Sequence, residues 1–393
     1  MFWRLKKIPR SAPMILLLLT VAAVTGFAAV GHLVTRYNLN QQARGHKLYE
    51  QGLAAATAAH YEDAIAAFRA ALTCDPTNSQ YQLSLARALR DSNDPQRLEE
   101  AESYLIALWQ RAPQDAAVNL ALARVAAHRG SIEDATRYYH NAMYGVWNAD
   151  PDGNRNRARI ELIQFLLKKN AVAQADSELI ALAAALPPDP GQHLQAAELF
   201  AQAQDYPGAM VQDEEALRGQ PENPAALLGA GEAAYRSGDY TVAEHYLKRA
   251  VEVDGGNTDA RKLLEVTQLI VASNPFHSHL SDMERNRRIT SDLDQAEERL
   301  LQCARQTGVD LARVDLNAPQ HAGSAPLAKL QALWLAAKPQ LGLLRSPAET
   351  DLPDALMDVV FQIEQQTAAT CGQPEGRDLA LLMISHKREA LAQ

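Results

Sequence analysis

Cysteine is scarce in this sequence, with three in 393 residues. That excludes a disulfide-dense miniprotein and a four-cysteine zinc site. Glycine (20) and proline (19) are too few for a collagen-like or low-complexity chain. A basic surplus is missing too. The net charge is −9 and the sequence pI near 5.7, which argues against a nucleic-acid binder with a broad basic face. There is no phosphate-binding P-loop, no Gly-x-Ser-x-Gly elbow and no His-Glu-x-x-His. The near-misses have plain explanations. Gly229-x-Gly231-x-x-Ala234 mimics a dinucleotide fingerprint but lies in a helical pattern with no strand before it. Asp150, Asp152, Asn154 and Glu161 stand at calcium-loop spacing, yet Arg155 occupies the place of the obligatory glycine. An Asp/Gly/Asn-rich turn accounts for the same residues. His277-Ser278-His279 lacks a spaced third ligand and reads as a polar linker. No metal, cofactor or catalytic residue is expected.

Acids are absent from the first ten residues, which carry Arg4, Lys6, Lys7 and Arg10. Asp, Glu, Lys and Arg are all absent from Met14 to Val34. As a helix that run measures roughly 30 Å, enough to cross a bilayer. The expected layout is a cytoplasmic basic tail over 1–13, a transmembrane anchor over 14–35 and a linker over 36–44. The basic flank keeps the N-terminus in the cytosol. The bulk of the chain is then periplasmic or otherwise extracytoplasmic, on a bacterial inner membrane. The rival reading is a cleaved signal peptide, for which Gly26-Phe27-Ala28 is a poor cleavage site.

One phrase recurs downstream. Tyr61-Glu-Asp-Ala64-Ile-Ala-Ala-Phe68-Arg-Ala-Ala71 returns as Tyr240-Thr-Val-Ala243-Glu-His-Tyr-Leu247-Lys-Arg-Ala250. The alanine repeats at Ala64, Ala101, Ala135, Ala175, Ala209 and Ala243, at spacings of 37, 34, 40, 34 and 34. A second series, twelve places earlier in a regular unit, reads Gly52, Ala86, Ala123, Ile163, Ala197 and Gly231. Pro76, Pro113, Pro187 and Pro221 stand where second helices should stop. Over residues 45–272 this resembles the tetratricopeptide repeat (TPR) family. Two positions depart from the family pattern. Ile163 replaces a small residue, and Asp213 stands where a bulky one is usual, in the slot of Phe68 and Leu247.

The resemblance implies about six antiparallel helix pairs stacked as an α-solenoid, closed by an amphipathic helix near Thr258 to Val271. It also implies a concave groove lined by the first helix of each pair. The positions that face such a groove read Tyr49, Leu83, Leu120, Ile160, Leu194 and Leu228, and Leu53, Arg87, Arg124, Gln164, Glu198 and Glu232. That gives an apolar floor, basic toward the N-terminal half and acidic toward the C-terminal half, suited to a peptide or helix of a protein partner. The alternative for any one leucine is inter-repeat core, with the charges merely solvated.

Residues 273–393 read as a small helical domain. Ser281 with Glu284 makes a capping-box signature. Ile289, Leu293, Ala296, Leu300 and Cys303 share one helical face, as do Leu352, Leu356, Val360, Ile363 and Thr367. A polar loop is expected from Asn317 to Pro326, a helix around Trp334, a helix start at Ser346-Pro347-Ala348-Glu349 and a last helix from Leu379 to Ala392. Arg285, Arg287 and Arg288 form a basic cluster beside Asp282 and Glu284. It reads as a solvated face or as a contact for anionic lipid or a partner. Cys303 and Cys371 sit at the ends of two stripes. They form a disulfide if their Cα atoms come within about 7 Å in an oxidising compartment; otherwise they are two buried small residues.

The fold expected is therefore all-α: anchor, repeats, C-terminal helices. The function expected is a membrane-anchored adaptor that binds peptide or helical segments of envelope proteins in complex assembly or quality control. Alternatives are a structural subunit of a larger membrane complex, or an enzyme with its site in the C-terminal helices.

Overall fold

The computed structural model describes residues 12–277, 280–311, 325–344 and 351–392. The N-terminal tail, Ser278 with His279, most of the loop expected at 317–326, and the helix start at 346–349 lie outside the described residues. Among the described residues the chain is all-α, with α1 to α17 and no strand. It divides into two compact units, Met1–Glu178 and Leu179–Gln393.

The first unit opens with α1 (Ala12–Thr57), a single helix of 46 residues. Its apolar part is long enough to cross a membrane by length and composition, and none of it is buried in protein. Leu18, Val24, Phe27, Val30 and Leu33 are all exposed. The segment expected as a linker, 36–44, is helical within α1: it holds neither glycine nor proline, so nothing there interrupts the backbone ladder. The last turns of α1 pair with α2 (Tyr61–Cys74) as the first repeat. Then come α3 (Ser79–Asp91) with α4 (Pro95–Arg111), α5 (Ala116–Arg129) with α6 (Ile132–Tyr144), and α7 (Pro151–Lys168); α8 (Val172–Ala185) contains the division at Glu178 and Leu179.

The repeat alanines explain the pairing. All six are at most 1% exposed, and each lets a neighbouring helix close in. Phe68 packs against Gly52 of the partner helix, where an added Cβ would stand 2.5 Å from the ring. Gly52→Ala is thus a case of opposed effects. Helix propensity gains about 1 kcal/mol, while the clash costs about 1–3 kcal/mol. We expect a net loss of stability, read as a lower urea midpoint at unchanged slope. The ends of the helices also follow the sequence. Asn78 and Asp115 accept hydrogen bonds from the first-turn amides of α3 and α5. Pro76 and Pro113 each stand two residues past a helix that ends at Cys74 and Arg111.

The two irregular spacings lengthen helices rather than loops. Ala101 is the seventh residue of α4, whereas Ala243 is the fourth of its helix. The extra turn starts at Pro95 behind the Asp94 cap. The longer insertion extends α7 at its N-terminus, to 18 residues. Asp150 caps that helix, accepting from the Gly153 amide. Ile163 is fully buried and serves as core.

The second unit holds α9 (Pro190–Gln202) with α10 (Tyr206–Gly219), α11 (Pro224–Arg236) with α12 (Tyr240–Val253), and α13 (Thr258–Ser273). Pro221 again lies two residues past its helix. Asn257 caps α13 as Asn223 caps α11, so α13 begins like the first helix of another repeat. Its Ile270 enters a core shared with α14 (Asp282–Thr307), α15 (Ala325–Ala337), α16 (Leu352–Cys371) and α17 (Gly376–Ala392). A short 3-10 turn, Lys338–Leu343, follows α15. Both apolar stripes of the C-terminal helices face this core, including Leu293, Leu300, Leu356 and Val360. Ser281 caps α14 by accepting from the Glu284 amide. Cys303 and Cys371 are joined as a disulfide, with Cα atoms 5.6 Å apart.

Candidate functional site

The groove positions are treated unit by unit. In the first unit Tyr49 is buried, its ring stacked on Tyr81 at 4.8 Å and its hydroxyl within 3.1 Å of the Gln80 amide nitrogen, which donates to it. Leu120 is buried as well, while Leu53, Leu83 and Ile160 are half-buried and Gln164 is exposed. Tyr49 and Leu120 therefore act as packing between helices.

The two arginines of this unit differ. Arg124 makes a bidentate pair with Glu161, at 2.8 and 2.6 Å. This occupies the carboxylate that stood at the last place of the calcium-like spacing. It also removes Arg124 from the charge expected to greet a partner. Arg87 has no such anion, and its buried Nε has no hydrogen-bond partner among the described residues. Burial, with Arg124 and Arg90 nearby, pulls its pKa below the usual guanidinium value. The basic end of the groove thus comes down to Arg87. Replacing Glu161 by glutamine should leave Arg124 half-buried without its anion and cost about 1–3 kcal/mol. Chemical unfolding of the full chain checks it.

In the second unit the first helices enclose a depression of about 970 Å³ between α9, α11 and α13, floored by α10. Leu194, Leu263 and Val266 supply apolar walls; Glu198 and Glu232 supply exposed carboxylates. Leu228 is half-buried and packs against the repeat core instead. The residue that groove positions alone did not include is Asp213 of α10. It lines the depression and is 3% exposed. Burial and the nearby Glu232 push its pKa up to about 8. Burial also raises that of Glu232, against the effect of Arg236. Gly229 of α11 makes room for the Asp213 carboxylate: a Cβ there would stand 2.5 Å from Oδ2. The signal for Asp213 was its departure from the bulky residue of the repeat.

A second group of buried charges lies among the C-terminal helices, where no sequence motif marked it. Asp292 is fully buried and accepts from Arg377 at 2.6 Å, yet burial still lifts its pKa to about 7. Arg299 donates to the Gly372 carbonyl and Gln295 to Asp378. Glu364 is fully buried, with both carboxyl oxygens lacking hydrogen-bond partners among the described residues. Burial pushes its pKa up to about 9. The basic cluster of α14 is paired locally but not neutralised: Arg285 pairs with Asp282, while Arg287 and Arg288 share Glu284. Arg288 also donates to the carbonyls of Val271 and Asn274, tying α14 to the end of α13.

Residues 40–152 match the family described as "Cytochrome c-type biogenesis protein H TPR domain", and residues 191–260 match "Tetratricopeptide repeat". Both units of this chain carry TPR repeats. TPR repeats are protein-interaction scaffolds, and they bind protein or peptide partners. Solved structures similar to this chain include PilF of Pseudomonas aeruginosa, 18% identical, covering 57% of this chain and 97% of that one, with a TM-score of 0.39. PilW, a type IV pilus biogenesis factor, is 16% identical over 56% of this chain and 98% of that one, TM-score 0.40. YrrB, a TPR protein with a peptide-binding site, is 16% identical over 50% and 96%, TM-score 0.37. Scores this low say nothing of the function of this chain. No curated protein matches it.

Proposed function

We propose that this protein is a membrane-anchored TPR adaptor. Its repeats capture peptide or helical segments of other envelope proteins during assembly or quality control. The observation that carries this is the depression between α9, α11 and α13, with apolar walls and a rim of mixed charge in which acids outnumber bases, on the face where TPR first helices lie. The exposed apolar stretch of α1 supports the anchor, because 0% of it is buried against the rest of the chain. Held at a bilayer, the repeats would meet membrane-bound clients at raised effective concentration. The Cys303–Cys371 disulfide supports an oxidising, extracytoplasmic location for the bulk of the chain. The family matched by residues 40–152 is named for cytochrome c-type biogenesis, which supports work on another protein's maturation rather than catalysis.

The test is photo-crosslinking in native membranes from Leu194 and Leu263, followed by mass spectrometry. A small, reproducible set of envelope proteins is the expected result, lost when Leu194 is changed to arginine. An unchanged set would show that clients dock elsewhere. A parallel Arg87→Glu variant tests the first unit: loss of a subset of clients is expected if Arg87 meets an acidic group.

A further inference from the structure

The depression in the second unit combines two things that seldom occur together. One is a set of apolar walls, Leu194, Leu263 and Val266, around a space wide enough for a side chain. The other is a carboxylate at its base with nothing to hold it. Asp213 is 3% exposed, yet among the described residues it makes no hydrogen bond or ion pair. A mostly buried carboxyl without a protein partner gives up solvation that nothing in the fold returns. The repeat could have avoided that cost with the bulky apolar residue that Phe68 and Leu247 supply at the same position. Gly229 opposite is likewise the residue that spares the carboxylate a collision. The neighbouring buried Gln212 has His193 Nδ1 2.9 Å from its Oε1, whereas the Asp213 oxygens have no such neighbour among the described residues.

The charges around the depression are mixed but ordered. Glu198, Glu232 and Asp259 line it with Asp213, against Arg236 and Lys262. Arg236 and Lys262 are exposed, at the last turn of α11 and on α13. Among the described residues neither makes an ion pair or hydrogen bond with the Asp213 carboxyl, and the charge beside it is that of Glu232. The site is therefore short of one cation at its base, inside apolar walls.

We propose that this depression, as part of the groove reading above on which it rests, recognises a single lysine or arginine of an amphipathic client segment. The cationic head would seat on Asp213 beneath Glu232, and apolar neighbours of that residue would lie on Leu194, Leu263 and Val266. An aliphatic stem with a charged tip suits such a pocket, since the stem can lie on apolar surface while the head pairs. A glutamate or glutamine at the same client position would leave Asp213 unmatched or repelled.

The full-length protein in zwitterionic nanodiscs provides the test. The probes are 15-residue amphipathic helical peptides with a leucine face. They differ only at one central position on that face: lysine, arginine, norleucine, glutamine or glutamate. Lysine and arginine peptides should bind at least tenfold more tightly than norleucine or glutamine ones, with glutamate weakest. Asp213→Asn should erase that preference while leaving the norleucine peptide's affinity within about twofold. Asp213→Leu restores the residue type usual at that repeat position, so it should fold, and it should reverse the order in favour of norleucine. If peptides bind but lysine and norleucine are equal, or Asp213→Asn keeps the preference, the cation pocket is wrong and the groove reading stands. If no peptide of the set binds, the cation pocket is wrong, and the groove reading then stands or falls on the crosslinking from Leu194 and Leu263.

Discussion

Changing Glu364 to glutamine is expected to make this protein more stable above neutral pH and far less sensitive to pH. Glu364 lies on α16 with no exposure and both carboxyl oxygens unpaired. Burial is the largest cause of its raised pKa of about 9, Asp378 and Asp292 add to it, and Arg299 opposes it. In the unfolded chain the same group titrates near its ordinary value of 4.5. Between these values the folded state holds a proton that the unfolded state has released. Its stability is thus fully present below about pH 4.5 and declines as pH rises toward 9. From pH 4.5 to 7 the linkage is at most about 3.4 kcal/mol for this one group. Asp213 and Asp292, with pKa values pushed up to about 8 and about 7, act in the same direction. Glutamine keeps the shape and removes the ionisation. Urea unfolding at pH 5 and pH 8 should show wild type losing several kcal/mol over that interval. The variant should lose about 2–3 kcal/mol less and match wild type at pH 5 to within about 1 kcal/mol. Equal pH slopes for the two proteins would mean that water or a partner reaches Glu364 in solution.

Loss of the disulfide is the second large effect. Cys303 ends a stripe of α14 and Cys371 is the last residue of α16, 68 positions apart. Closing a loop of that length removes about 4 kcal/mol of unfolded-state entropy in the chain-entropy model, and measured values cluster at about 2–4 kcal/mol. A Cys303→Ala, Cys371→Ala double variant should therefore unfold at a clearly lower urea concentration. Wild type treated with reductant should behave like it. Thiol titration of the denatured, unreduced protein should find one free thiol, Cys74. Three free thiols would rule the bond out in the isolated protein.

Much of the architecture could be read directly because its physics is local and repeated. Alanine at a 34-residue period has one purpose in paired helices, and Ala64 and Ala243 are fully buried. Prolines two residues past α2, α4 and α10 cannot continue a helix wherever it packs. The apolar run of α1 is likewise a property of composition. What could not be read depended on partners far away in the chain. Arg124 was a groove cation by position, but Glu161 of the next repeat's first helix pairs with it. Asp213 was a mismatch in a pattern until Gly229 and the walls of α9, α11 and α13 made it the floor of a depression.

The sequence by itself thus determined most of the helices, their order and the small residues at their contacts, since periodicity and breakers act within a turn or two. Only the tertiary structure decided which charges stay unpaired: pairing and desolvation are set by what other helices bring within a few ångströms. Arg87, Asp213 and Glu364 are examples: each was one charge among many in the sequence, and only packing left it buried or half-buried without a counter-ion.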